Sequence, residues 1–428
     1  MRLPSVIPSV ARDLLFLAAA ANTAVAQTTA LRFRSVVDGS GRVIANGVVI
    51  VDADKITRVA GPRDAVPQGA RVIDLTRFTA IPGMIDAHTH MTYAWDPASG
   101  TDPWRQPQRA PAEVSRLQRL NALHTLETGV TTVRDLGASN YVDIALRDSI
   151  KAGAFPGPRM FVAGSGLQRA RPPFRAGVDT TRTARGRVYN ISQVAEAVKQ
   201  QVDAGADYIK LYGSTGSGAD VTGNETFSFD EMKAAVDAAK QFGKRVAIHS
   251  YGPDGGRDAV RAGATTVEHA IDLDDATLAE MARRGTIYVP TIDHNRYYSE
   301  YRADFHYTEQ QAAALDSFRL RNLETTRRAI KAGVTLGMGS DAVFHMFGQN
   351  TRELGWFVKA GMTPAQALAT ATTIGAELLG MEKSLGRIAP GYYADVVAVD
   401  GDPLADINVV LNGVKWVMKG GAIVVDKR

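Results

Sequence analysis

AGATTVEHA (262–270) holds the reading of the fold in nine residues: a helix-like stretch arrives at Gly263, and a short β-branched strand leaves it to end on His269. Glycine at such a junction suits a helix C-terminus closed in the left-handed conformation, where a Cβ is costly. The theme recurs from about residue 79 to 342, in TGVTTVRD (128–135), AGADYIKLYG (204–213), FGKRVAIHS (242–250), RGTIYVPT (284–291) and AGVTLGMGSD (332–341). FTAIPGMIDAHTH (78–90) and PRMFVAG (158–164) bring the strands to eight. Amphipathic stretches such as ISQVAEAVKQQVDA (191–204) and FDEMKAAVDAAKQF (229–242) run between them. Strands alternating with helices pair in parallel, and eight such units predict an α/β fold closed as a (β/α)8 TIM barrel. An open doubly wound sheet is the competing reading. It calls for a Gly-rich phosphate turn after an early strand, and no G-x-G-x-x-G stands there.

The two ends of the chain have another rhythm. Residues 31–61 with RVIDL (71–75), and GYYADVVAVDGDPLADINVVLNGVKWVMKGGAIVV (391–425), are short alternating strands broken by Gly, Asp and Asn turns. Neither piece buries its apolar face alone, so a small β-sandwich formed from both termini is expected. The expected division is sandwich over 27–78, barrel over 79–383, and sandwich again over 384–428. The Pro-rich segment 92–112 follows the first barrel strand and reads as an active-site loop. At the start, Arg2 and Arg12 precede LLFLAAAA (14–21) and the A-x-A pattern Ala24-Val25-Ala26. That is a signal peptide over 1–26, implying a secreted or periplasmic protein that starts at Gln27. Eight apolar residues are too few to cross a bilayer core of about 30 Å, so no stable membrane anchor is expected.

Composition narrows the function classes. Of 428 residues, 45% are hydrophobic and 22% charged, the balance of a globular protein. The net charge is +4, but the only dense basic cluster is LQRARPPFRAGVDTTRTARGR (167–187), with no aromatic interleaving of the kind nucleic acid demands. The absence of Cys removes disulfides and thiolate chemistry.

The chemistry gathers at strand ends. His88 and His90 close the apolar strand AIPGMIDA, and residues i and i+2 of a strand share a face, so both imidazoles can reach one ion. His249 ends RVAIH, His269 ends TTVEH, Asp341 ends TLGMGSD, and Lys210 lies in YIKLYG. Barrel active sites are built at the C-terminal ends of strands, and scattered core histidines would not select them. A strand lysine can snorkel, pair with an acid or form a Schiff base. A buried one also has a depressed pKa, and its neutral amine can take up carbon dioxide as a carbamate. A carbamate bridging two cations gives the neighbouring imidazoles and aspartate a purpose that the other readings do not.

This set resembles the binuclear, carbamylated-lysine subtype of the amidohydrolase superfamily. IPGMIDAHTH, TTVRDLG, EHA, GSDA and the tail LGRIAPGYYADVVAVDGDPL (385–404) spread the likeness over nearly all of the chain after residue 26. It is most similar to the imidazolonepropionase-like branch that includes Xaa-Pro dipeptidases and ochratoxin-hydrolysing enzymes. The resemblance implies that His88, His90 and Asp341 hold one divalent metal, His249 and His269 a second, and carbamylated Lys210 bridges them. Zinc suits so many imidazoles. It implies a metal-bridging hydroxide as nucleophile, with Asp341 as the catalytic proton carrier. The reaction implied is hydrolysis of an amide bond to a C-terminal amino acid, in a dipeptide or an N-acyl amino acid such as ochratoxin A. The protein would be a homo-oligomer acting on a small molecule. Cyclic-amide or lactone hydrolysis or deamination on the same site is the alternative, and a non-catalytic scaffold is the alternative of another class. Two departures stand out: His249-Ser250-Tyr251 lacks a second His two positions on, and AGSGLQRARPPFRAG (163–177) replaces a Gly-His-Gly element. Both bear on carbonyl activation and carboxylate binding, not on the metal set.

Around this centre, Tyr212, two residues after Lys210, and His345, after Asp341, are the expected substrate contacts. His294, Tyr297 and Tyr298 follow the seventh strand as weaker pocket candidates. Arg169, Arg171 and Arg175 offer a carboxylate clamp, against the simpler reading of a solvated loop. His124 and His306 read as structural or solvated.

Overall fold

The computed structural model describes residues 28–64, 66–97, 100–104, 109–174, 177–216, 220–221 and 223–428. The leader 1–26, the expected new terminus Gln27 and Arg175 lie outside the described residues.

Seven barrel strands fall into two parallel runs. Met84–Thr89, Val130–Asp135 and Arg159–Val162 make the first, and Ile209–Tyr212, Val246–Ser250, Thr266–His269 and Ile287–Val289 the second. Two seams close the ring. At one, Leu167 N donates to Lys210 O at 2.7 Å. At the other lies the eighth segment, 335–342. Tyr288 N donates to Thr335 O (2.9 Å) on one side of it, and Asp341 N donates to His88 O (2.7 Å) on the other. The result is the (β/α)8 barrel. The eighth segment is bridged on both sides without forming a regular strand. Its glycines explain how close it comes: a Cβ on Gly339 would lie 2.5 Å from the Val289 side chain and 2.8 Å from His88 Cβ.

The helix ends follow the sequence rule. Gly263 (φ +93°) and Gly285 (φ +71°) close the helices Pro253–Ala262 and Asp275–Arg284, and each hands the chain to a strand within three residues. Helix starts are equally legible. Ser228 with Glu231 and Thr308 with Gln311 form reciprocal capping boxes on Phe229–Gln241 and Glu309–Lys331.

The two termini build one continuous eight-stranded sheet. Their join is antiparallel, Val396–Val399 against Thr79–Pro82, with Ala398 opposite Ala80. The sheet curls until its edge strand Lys55–Ala60 meets residues 391–393, where Ile56 N donates to Tyr392 O at 2.9 Å. Inside the curl lie Leu31, Phe33, Val51, Leu75, Val396 and Trp416, all buried. This sheet also positions the site. Its strand Arg71–Pro82 passes through Gly83 directly into Met84–Thr89, so the β-domain grips the strand that carries His88 and His90. Gly83 is pinned there, its N–H donating to Asp395 O at 2.8 Å. A Cβ on it would lie 2.3 Å from Thr131 Oγ1. Among the described residues no helix is long and apolar enough to cross a membrane.

Candidate metal centre

His88 and His90 project from one face of the first barrel strand toward the end of the eighth segment. Asp341 Oδ1 lies 3.4 Å from His88 Nε2 and 3.3 Å from His90 Nε2. One ligand atom from each of the three lies within 4.8 Å of the others, a group able to hold a metal ion. His249 and His269 face each other with ring centroids 4.6 Å apart, and His269 is 5.0 Å from His88. All of these, with Lys210 and Tyr212, line one cavity of ≈ 250 Å³. The structure therefore brings together the six residues expected as ligands from the sequence.

The far nitrogens of three rings are engaged. His90 Nδ1 donates to Gly137 O at 2.9 Å, and His88 Nδ1 donates to Glu268 Oε2 at 2.8 Å. His269 Nδ1 lies 2.6 Å from Thr291 Oγ1. A ring fixed through Nδ1 keeps the Nε2 lone pair for a cation, the usual second contact of a metal-ligating histidine. Burial pushes His88 down to about 4 and His249 to about 3, so both are neutral at physiological pH, as ligands must be. Burial would raise Asp341, but His294, His88 and His269, protonated at the acidic pH where the carboxyl titrates, and the hydrogen bond from His90 together hold it well below its ordinary range. Lys210 is 1% exposed and, among the described residues, has no ion pair within 4 Å. Burial lowers it to about 8. The donor set thus fits divalent cations, and a lysine with an accessible neutral amine fits a carbamate.

Backbone strain marks the same rim. His269 (φ +72°), Thr291 (φ +52°) and Asp341 (φ +53°) all adopt left-handed backbone without being glycine. Such residues cost of order 1–3 kcal/mol each and persist where the surrounding structure over-determines them. Here they stand at three successive strand ends: His269 and Asp341 line the cavity, and Thr291 meets the His269 ring from behind.

Several contributors were not foreseen. Glu268, fully buried behind His88, also accepts from Arg134 Nη2 at 2.9 Å, and Arg134 Nε donates to Ala87 O at 2.5 Å. The signal was present as charged residues inside the apolar strands TTVEH and TTVRD. Tyr93, Trp104, Gln168, Ser214 and Tyr251 line the cavity as well. His294 and Tyr298 do so too, and His294 Nε2 sits 3.2 Å from Asp341 Oδ2. Tyr297 instead faces His345, whose Nδ1 is 3.2 Å from the Tyr297 hydroxyl. His345 itself is not brought to the cavity. After Val343 the chain turns at Phe344 (φ +51°), and His345 packs between Trp95 and Tyr301. Among the described residues the arginine clamp does not form either. Arg169 pairs with Glu231 (2.7 Å), and Arg171 donates to the carbonyls of Glu225 and Thr226. His124 and His306 are exposed.

Comparison with known proteins agrees with this geometry. Residues 79–424 match the sequence profile of the amidohydrolase family. The chain is similar to ochratoxinase of Aspergillus niger, 27% identical over 441 aligned residues that cover 94% of this chain and 88% of that one. Among solved structures it is similar to a Xaa-Pro dipeptidase with methionine bound in its active site. There the TM-score is 0.82 and the identity 30%, covering 93% of this chain and 99% of the other. A prolidase complexed with N-methylphosphonate-L-proline matches with TM-score 0.81 and 29% identity, over 94% and 100% of the two chains.

Proposed function

The chain belongs to the amidohydrolase family, and we propose that it hydrolyses the amide bond to a C-terminal amino acid, in a dipeptide or an N-acyl amino acid such as ochratoxin A. The observation that carries this reading is the convergence of four imidazoles, Lys210 and Asp341 on one cavity. The names of the relatives support amide hydrolysis, and a dipeptidase with an amino acid in its active site supports a free amino acid as product.

His88, His90 and Asp341 would hold one divalent cation and His249 and His269 a second, with Lys210 bridging them as its carbamate; zinc fits the imidazoles best. When bound, such cations supply Lewis acidity toward the scissile carbonyl and make water acidic near neutral pH. The chain's own residues do the rest. Asp341 turns Oδ1 toward His88 and His90, and Oδ2 toward His294. It takes the proton of the attacking water and passes it to the leaving amine. Glu268, held by Arg134, fixes the His88 ring through Nδ1. Tyr212 offers a hydroxyl to the substrate's carboxylate inside the cavity. Residues 1–26 are a cleaved leader in this reading, and the exported chain assembles with copies of itself.

The test compares an N-acyl amino acid with its methyl ester and its amide at the terminal carboxylate. A lost charge-assisted hydrogen bond costs about 1.5–3 kcal/mol, so blocking should lower kcat/KM by about tenfold to a hundredfold. Equal turnover of free and blocked substrates would leave a general amidase.

A further inference from the structure

The cavity has two unlike walls. On the side of the first, seventh and eighth strands, rings follow one another from the metal ligands outward. Tyr93 stacks on His90 at 4.8 Å, and Tyr298 stands edge-on to His294 at 4.7 Å. Trp104 continues the layer to the mouth. Phe344 meets it edge-on at 5.0 Å, Tyr298 lies stacked at 6.1 Å, and its indole N–H donates to the Tyr307 hydroxyl at 3.1 Å. The facing wall, from the loops after the third and fourth strands, presents Gln168, Tyr212, Ser214 and Gly216.

Trp104 is fixed by those contacts and still 45% exposed while lining the cavity. A large apolar face held rigid at a site mouth loses little conformational freedom when a ligand covers it, so contact there converts efficiently into affinity. Rings prefer to meet rings in offset or edge-on arrangements, beyond the gain from buried area. The polar wall carries no guanidinium among the described residues, so the anionic end of a substrate meets neutral donors there.

We propose that Trp104 determines specificity by stacking on a planar aromatic ring of the substrate, leaving the substrate's polar end to face Gln168 and Tyr212. This rests on the reading of the site as an amidohydrolase for N-acyl amino acids and narrows it to ring-bearing members. The ring can belong to the acyl group or to the amino acid.

Trp104→Ala, Trp104→Phe and the unaltered metal-loaded enzyme are compared on N-benzoyl-alanine, N-acetyl-phenylalanine and N-acetyl-alanine. Trp104→Ala should lose about tenfold in kcat/KM, mostly through KM, on at least one ring-bearing substrate. That loss should be at least about fivefold greater than the loss on N-acetyl-alanine, and Trp104→Phe should recover most of it. Which ring-bearing substrate suffers assigns the ring to the acyl or the amino-acid side. Equal losses on all three substrates, or none, overturn the proposal. If the unaltered enzyme cleaves none of the three, the N-acyl amino acid part of the proposed function falls instead, and calorimetric binding of N-benzoyl-alanine and N-acetyl-alanine decides the role of Trp104. Selective weakening of the ring-bearing ligand in Trp104→Ala supports it, and unchanged selectivity overturns it.

Discussion

The C-terminal rim of the barrel and the sheet made by the two chain ends use their residues in opposite ways. In the sheet, Leu31, Phe33, Val49 and Leu75 are buried and meet Trp416 in one apolar core. Local pattern, strand preference and burial agree there. At the rim, four histidines, a lysine and an aspartate are buried, and His269, Thr291 and Asp341 hold a backbone conformation that L-residues resist. Every one of these choices is unfavourable taken alone. The rim is assembled against local preference and is held by the rest of the fold, which is where functional sites are expected to lie. Substitutions in the two regions should therefore separate activity from stability.

The largest separation is expected at Asp341. Asp341→Asn removes a charged ligand and the proton carrier while keeping shape, so kcat should fall by about a thousandfold or more, some 4 kcal/mol in the barrier. Its thermal midpoint should move far less than that of a core variant. A variant retaining a tenth of normal kcat would break the assignment. The mirror case is Phe33→Ala, at a residue 1% exposed in the sheet core. Chemical denaturation should show a loss of about 3–5 kcal/mol, with kcat of the folded fraction close to normal. A large fall in kcat with stability intact would mean that the sheet acts on the chemistry directly.

A smaller effect sharpens the contrast by pH. A carbamate forms from the neutral amine, and burial places Lys210 near about 8. Below that pH the ammonium dominates. At fixed dissolved carbon dioxide, recovery of activity by metal-stripped protein should speed up about tenfold from pH 7 to pH 9 and level off above. Lys210→Arg should not recover, because guanidinium keeps its charge. A flat profile, or recovery by Lys210→Arg, would remove the carbamate.

The parts legible in the sequence were those fixed by neighbours in the chain. Gly263 and Gly285 announced helix ends because the left-handed turn is local, and the His88/His90 spacing announced a shared face because strand alternation is local. The eighth segment was read as a strand, but it is bridged to its neighbours only at isolated points, and Gly339 serves a close approach to Val289 and His88 that the local pattern does not announce. Glu268 and Arg134 went unread because their partnership spans 134 positions. Trp104 comes from the loop after the first strand and Tyr298 from the helix Ile292–Glu300, and they meet only once the barrel is closed. His345 was misplaced for a related reason: adjacency to Asp341 in sequence says nothing about the turn at Phe344.

The most direct measurement follows metal content and turnover in the same sample of purified protein during chelation. The account predicts about two divalent metal ions per chain, a loss of N-acyl amino acid hydrolysis in step with metal loss, and recovery on adding the ion back. Full turnover after verified removal of metal would contradict it.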